Sequence, residues 1–139
     1  MTAITGLTPR PFADSTDSLL RFAMRLDATL TGLVGLMIAA AADPISSLTG
    51  LNSITEYGLG AFFVLCGLIV FALAAASDLR RAGIGVVIAN VVFAVAAVVV
   101  VAAGALPLTA TGTAVTLASG VYTALIGYLE YLGVRRLPA

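Results

Sequence analysis

Between Arg81 and Glu130 the chain reads AGIGVVIANVVFAVAAVVVVAAGALPLTATGTAVTLASGVYTALIGYL, residues 82–129, forty-eight residues without a charge. A helix that crosses roughly 30 Å of hydrocarbon needs about 20 apolar residues. The run is too long for one crossing and suits two. Gly104, Pro107 and the Thr111-Gly-Thr113 stretch fall near its midpoint, and Gly and Pro are the strongest local punctuators of a chain. The spacing predicts one helix at about residues 82–103 and another at about 109–132.

Outward from this run, the other charge gaps measure further helices. Glu56 and Asp78 enclose 21 uncharged residues, which predicts a helix at about 57–77. Asp27 and Asp43 enclose only 15, a rise of about 22 Å, so that helix must recruit the preceding turn and is placed at about 21–42. A rival reading makes this segment a secretory signal, with Arg21 and Arg25 as its basic region, Leu30 to Ile38 as its apolar run and Ala40-Ala-Ala42 as its cleavage site. Asp27 interrupts that pattern and the basic region is unusually long, so four spans are the preferred reading. Residues 1–16, with Pro9, Pro11 and Asp14, read as a flexible cytoplasmic tail ahead of a transmembrane domain at 17–139. The Asp14-Ser-Thr-Asp17 segment is placed to cap a helix starting near Ser18. The segment after Ala42, opening with Asp43-Pro44, reads as a short polar connection.

Composition agrees with a lipid solvent. Of 139 residues 60% are hydrophobic and 10% charged, where a soluble domain carries about a quarter charged residues. Histidine, lysine and tryptophan are absent, which removes the commonest general base and the usual nitrogen ligand of zinc. The single Cys66 closes no intramolecular disulfide and holds no metal by itself. Seven arginines balance seven acids, so no net field draws nucleic acid. No nucleophile paired with a base, metal cluster or phosphate loop is evident. The sequence therefore suggests no enzyme, cofactor or bound metal.

Arg10, Arg21 and Arg25 precede the first expected helix, Arg80 and Arg81 lie between the second and third, and Arg135 and Arg136 follow the fourth. The other two connections contain no basic residue, and the positive-inside rule then sets both termini in the cytoplasm. The expected fold is an all-α membrane protein, an antiparallel four-transmembrane-helix bundle. Helices in lipid associate through small residues and interhelical hydrogen bonds, and each expected helix has a stripe of such residues. These are Arg21, Arg25, Ala28, Gly32, Gly35, Ala39 and Ala42 in the first; Gly60, Gly67 and Ala74 in the second; Gly83, Asn90, Ala94, Ala97 and Gly104 in the third; and Thr109, Thr113, Thr116, Gly120, Thr123, Gly127 and Glu130 in the fourth.

Polar residues inside the spans are the candidates for a role beyond packing. Asn90, roughly 13 Å beyond Arg81 at 1.5 Å per residue, reads as an interhelical hydrogen-bonding group or, alternatively, a ligand or ion contact. Glu130 lies a turn inside the boundary marked by Arg135. It is expected to pair with Arg25, with Arg21 as substitute; the alternatives are a proton or cation site and exposure to headgroups. Asp27 points well over 100° from its helix's small stripe, which suggests snorkelling or a pair with Arg80 or Arg81. Thr123 shares the stripe of Glu130. Tyr122, Tyr128 and Tyr131 read as packing groups and interface anchors, and Cys66 as a small buried hydrophobe.

The stretch Leu20-Arg-Phe-Ala-Met-Arg-Leu-Asp-Ala28 and the ending Glu130-Tyr-Leu-Gly-Val-Arg-Arg136 resemble a family of small bacterial four-helix integral membrane proteins. The matching positions are Arg25, Asp27, Glu130 and Arg135. The resemblance implies the architecture and a bacterial inner-membrane location, and brings no activity with it. Three functions follow from these readings. The leading one is a non-enzymatic scaffold or accessory subunit that packs against a membrane-protein partner or a second copy of itself. The others are a small proton- or cation-coupled transporter using Glu130 or Asp27, and a binder of lipid or quinone. Small multidrug transporters are similar in size, but their glutamate in the first helix and aromatic-rich cavity have no counterpart in the first helix of this sequence.

Overall fold

The computed structural model describes residues 16–139, and the expected tail at 1–16 lies, but for Thr16, outside the described residues. Among the described residues five α-helices of eight residues or more follow one another: α1 Ser18–Ala40, α2 Ala42–Thr49, α3 Ser53–Leu73, α4 Leu79–Ala102 and α5 Ala110–Arg135. All except α2 are long and apolar enough to cross a membrane. Only 17% to 28% of the most apolar stretch of each is buried, so most of the apolar surface faces outward, the reverse of a water-soluble bundle.

Helix ends follow local hydrogen bonding rather than the positions of charges. The helix expected at 57–77 is α3, shifted toward the N-terminus because Asn52 caps it, its side chain accepting from the Thr55 N–H at 2.8 Å. Glu56 is therefore no boundary marker; it lies inside the first turn, buried, and accepts a hydrogen bond from the Thr49 hydroxyl. Asp78 caps α4 through the Arg81 N–H at 3.1 Å, and Thr109 caps α5 through the Gly112 N–H at 3.0 Å. α1 starts at Ser18, but its N-cap Asp17 makes no side-chain cap bond and instead accepts from Arg21 Nε at 3.0 Å. The connection after Ala42 is helical, not irregular: α2 ends at Gly50, whose φ of 88° is the left-handed turn that glycine adopts without strain.

Glycines set the packing. A Cβ on Gly35 would stand 2.7 Å from the Gly60 carbonyl oxygen and the Val64 nitrogen, and one on Gly67 would stand 2.7 Å from the Ala28 carbonyl oxygen. α1 and α3 thus touch backbone to backbone along most of their length. α4 and α5 form the second close pair, with Gly120 against Ala97 and Gly127 against Asn90. α1 also packs against α5, whereas α3 and α4 barely meet. At one end Leu20, Met24, Ala74, Leu79, Val86 and Val134 form a compact apolar core drawn from all four long helices. At the other end α2 ties the helices together, its Thr49 carbonyl accepting from the Thr109 N–H at 2.9 Å. Between those ends α3 and α4 stand apart.

Candidate functional site

α1 is buried on two faces. Its glycine face lies against α3, and Asp27, which points elsewhere, turns toward α4 and α5. Asp27 is 4% exposed, Asn90 of α4 is 8% exposed and Glu130 of α5 is 0% exposed. Asn90 Nδ2 donates to Asp27 Oδ2 at 3.2 Å and to Glu130 Oε2 at 2.9 Å, so one amide bridges two carboxyl groups. Gly127, one turn before Glu130, leaves the room for this, since a Cβ there would lie 3.0 Å from the Asn90 Cβ. Asp27 Oδ1 accepts from Thr31 Oγ1 at 3.0 Å and from the Tyr122 hydroxyl at 3.1 Å. Glu130 Oε1 is buried with no hydrogen-bond partner.

Every donor to the two acids is neutral. Among the described residues no arginine lies within ion-pair distance of either one, and the ion pair seen is Arg21 with Asp17. The expected Glu130–Arg25 and Glu130–Arg21 pairs are thus absent, as is the pairing of Asp27 with Arg80 or Arg81. Asp27 points inward and Arg25, two residues earlier, stands on a different side of the helix, where it is exposed. Arg21 is committed elsewhere, donating to Asp17 and, from Nη1, to the Ala74 carbonyl at 2.7 Å. Arg135 is exposed, with its guanidinium 5.8 Å from the centre of the Tyr131 ring. A charge at the centre of a spanning helix costs about 2.5–3.5 kcal/mol on insertion scales. Interhelical hydrogen bonds return only about 0.6–2 kcal/mol each, so the two acids, served by neutral donors, have no cation beside them to offset that cost.

The polar cluster borders a cavity of about 640 Å³ between the two helix pairs. Leu30, Val34, Ile69 and Val86 supply apolar wall, Phe63 and Phe93 aromatic wall, and Asp27, Asn90, Ser119, Tyr122 and Thr123 the polar part. The Phe93 ring of α4 lies 6.2 Å from that of Phe62 and 5.6 Å from that of Phe63, both of α3, bridging helices that otherwise diverge. Cys66 also lines the cavity, so it is a wall group and not part of a core. Gly85 lines it too, and a Cβ there would meet nothing within 4 Å.

Of the polar residues singled out from sequence, the structure unites Asp27, Asn90 and Glu130, sets Thr123 on the cavity wall, and leaves Arg21, Arg25 and Arg135 apart. Thr31 and Tyr122 were missed as partners of Asp27. Thr31 had a signal, since it stands four residues after an intramembrane acid and so shares its face. Tyr122 had none, because its role depends on where α5 crosses α1. No protein-family model, curated protein or solved structure matches the chain.

Proposed function

We propose that this is a multi-pass protein of the bacterial inner membrane, an antiparallel bundle with both termini cytoplasmic, that binds a lipophilic small molecule between α3 and α4 without transforming it. The arginine distribution and the contacts of early α1 with late α3 support the topology. The observation that carries the binding reading is the cavity itself. Its volume lies within the roughly 300–1,000 Å³ of small-molecule pockets, and it has their form, an apolar chamber with a few convergent polar groups. Because α3 and α4 scarcely touch along it, an apolar ligand reaches it sideways from the lipid.

A scaffold that recruits partner helices needs free small-residue seams. Here Gly35, Gly60, Gly67, Gly120, Gly127 and Gly133 each meet another helix of the same chain, which leaves that reading less support. Gly85→Phe is designed to obstruct the cavity that Gly85 lines, at a position where an added Cβ meets nothing within 4 Å. Protein released gently from native membranes and weighed intact should carry a lipophilic molecule in stoichiometric amount, and the Gly85→Phe variant should have lost it. Equal retention by both, or a retained protein partner with no small molecule in either, rejects the proposal.

A further inference from the structure

We infer that the molecule the cavity takes is a lipophilic organic cation, an amine or onium head on an apolar body, held by the charge of Asp27 with that of Glu130 behind it. The inference rests on the cavity's being a binding site and adds the chemistry of its occupant.

The hydrogen-bond accounting comes first. Asp27 Oδ1 accepts from two hydroxyls and its Oδ2 from Asn90; Glu130 Oε2 accepts from the same Asn90 nitrogen. An amide has two N–H donors, and both are spent, one on each acid. Glu130 Oε1, fully buried, receives nothing. The two acids lie within hydrogen-bond reach of one nitrogen atom, in surroundings that screen charge poorly, and among the described residues no cation reaches them. Arg21 is held by Asp17 and the Ala74 carbonyl, and Arg25, Arg80, Arg81, Arg135 and Arg136 are exposed. The missing complement is positive charge, and the cavity is the space beside Asp27 into which a ligand can bring it.

The same accounting discriminates among lipophilic molecules. A phospholipid would set its phosphate beside two acids. A quinone head offers carbonyl oxygens, which accept hydrogen bonds, to a site whose amide and hydroxyl donors already donate within the chain. A cationic head gains from attraction that is strong at low dielectric, and the Phe63, Phe93 and Tyr122 rings on the wall add faces that attract cations. Glu130 is absent from the wall, so it acts through its charge and through the position it gives Asn90, not by touching the ligand.

The test compares two probes of one shape, tritiated methyltriphenylphosphonium and its uncharged carbon isostere 1,1,1-triphenylethane, binding to the full chain in detergent. The cation should bind the unmodified protein at least tenfold more tightly. Asp27→Asn should remove most of that preference, and Asp27→Glu should restore it. Glu130→Gln should weaken it by a smaller factor, and Gly85→Phe should abolish binding of both. Equal affinities in the unmodified protein, or a preference that survives Asp27→Asn combined with Glu130→Gln, overturns the cationic assignment and leaves the cavity reading standing. If neither probe binds, both fail. The comparison on unmodified protein decides the matter even if an Asp27 variant does not fold.

Discussion

Asn90 serves two acids at once, so its removal strands two acceptors for the loss of one side chain. Leaving a buried polar group unsatisfied costs about 1–3 kcal/mol, and Asn90→Leu should destabilise the bundle by at least that much in detergent unfolding. Adding Glu130→Gln to Asn90→Leu should recover part of the loss, because it removes one uncompensated carboxylate; an equal or greater loss in the double variant would contradict the bridge. Arg25 gives the opposite expectation. It is exposed and, among the described residues, has no acidic partner within ion-pair distance, so Arg25→Met should stay within about 0.5 kcal/mol of the parent. Combined with Glu130→Gln it should add without coupling. Measurable coupling in that cycle would restore the ion pair that the geometry denies.

Among the elements, α3 shows most plainly how small residues divide their labour. Gly58 and Gly60 are two residues apart on one helix, yet a Cβ at Gly58 meets nothing within 4 Å while one at Gly60 would stand 2.6 Å from the Ala39 nitrogen. Gly60→Ala must push α1 and α3 apart, at a cost on the overpacking scale of about 1–3 kcal/mol. Gly58→Ala should be neutral, or stabilising by up to about 1 kcal/mol through helix propensity. Matched unfolding curves would settle the comparison, and equal responses would mean that the α1–α3 contact is misplaced. On α5 the same logic separates Gly127→Leu, which drives into Asn90, from Val121→Leu, which adds to an outward surface. The stripe in α3 was legible in the sequence, with Gly60, Gly67 and Ala74 all buried, and that in α4 for the most part: Gly83, Asn90 and Ala97 are buried, Ala94 is half-buried and Gly104 is exposed beyond the helix end. The stripe in α1 was legible only in part, because Arg21 and Arg25 extended it past the true contact at Ala28 and Gly35.

At the scale of the whole molecule, the helices arrange as two tight pairs joined along α1 and α5 and open between α3 and α4. An aromatic bridge of Phe62, Phe63 and Phe93 spans the opening at one level, and the Leu20–Met24 core closes the end nearer the chain termini. Reporter fusions test the proposed placement of this body in the membrane. Insertions at Gly50 and Leu106 should report the outer side, and fusions after Arg81 and at the C-terminus the inner side. An inner-side signal at Gly50 would invert the topology.

The sequence by itself determined the number of long helices and their approximate extents, because charge-free runs of about 20 residues separated by turn residues leave a chain in lipid few alternatives. It marked Asp27, Asn90 and Glu130 as costly and therefore worth explaining. It did not determine what answers them. An isolated helix wheel assigns one inward face, and α1 has two, one for α3 and one for α4 and α5, so an acid more than 100° from the glycine stripe turns out to be as buried as the stripe itself. Charge counting likewise paired Glu130 with the nearest arginines in depth, although rotation of each helix about its axis, which depth does not specify, decides what a side chain meets. Only the tertiary structure set those rotations, through backbone contacts at Gly35, Gly60, Gly67 and Gly127. Those contacts bring two acids to one amide, leave α3 and α4 apart, and so make the cavity.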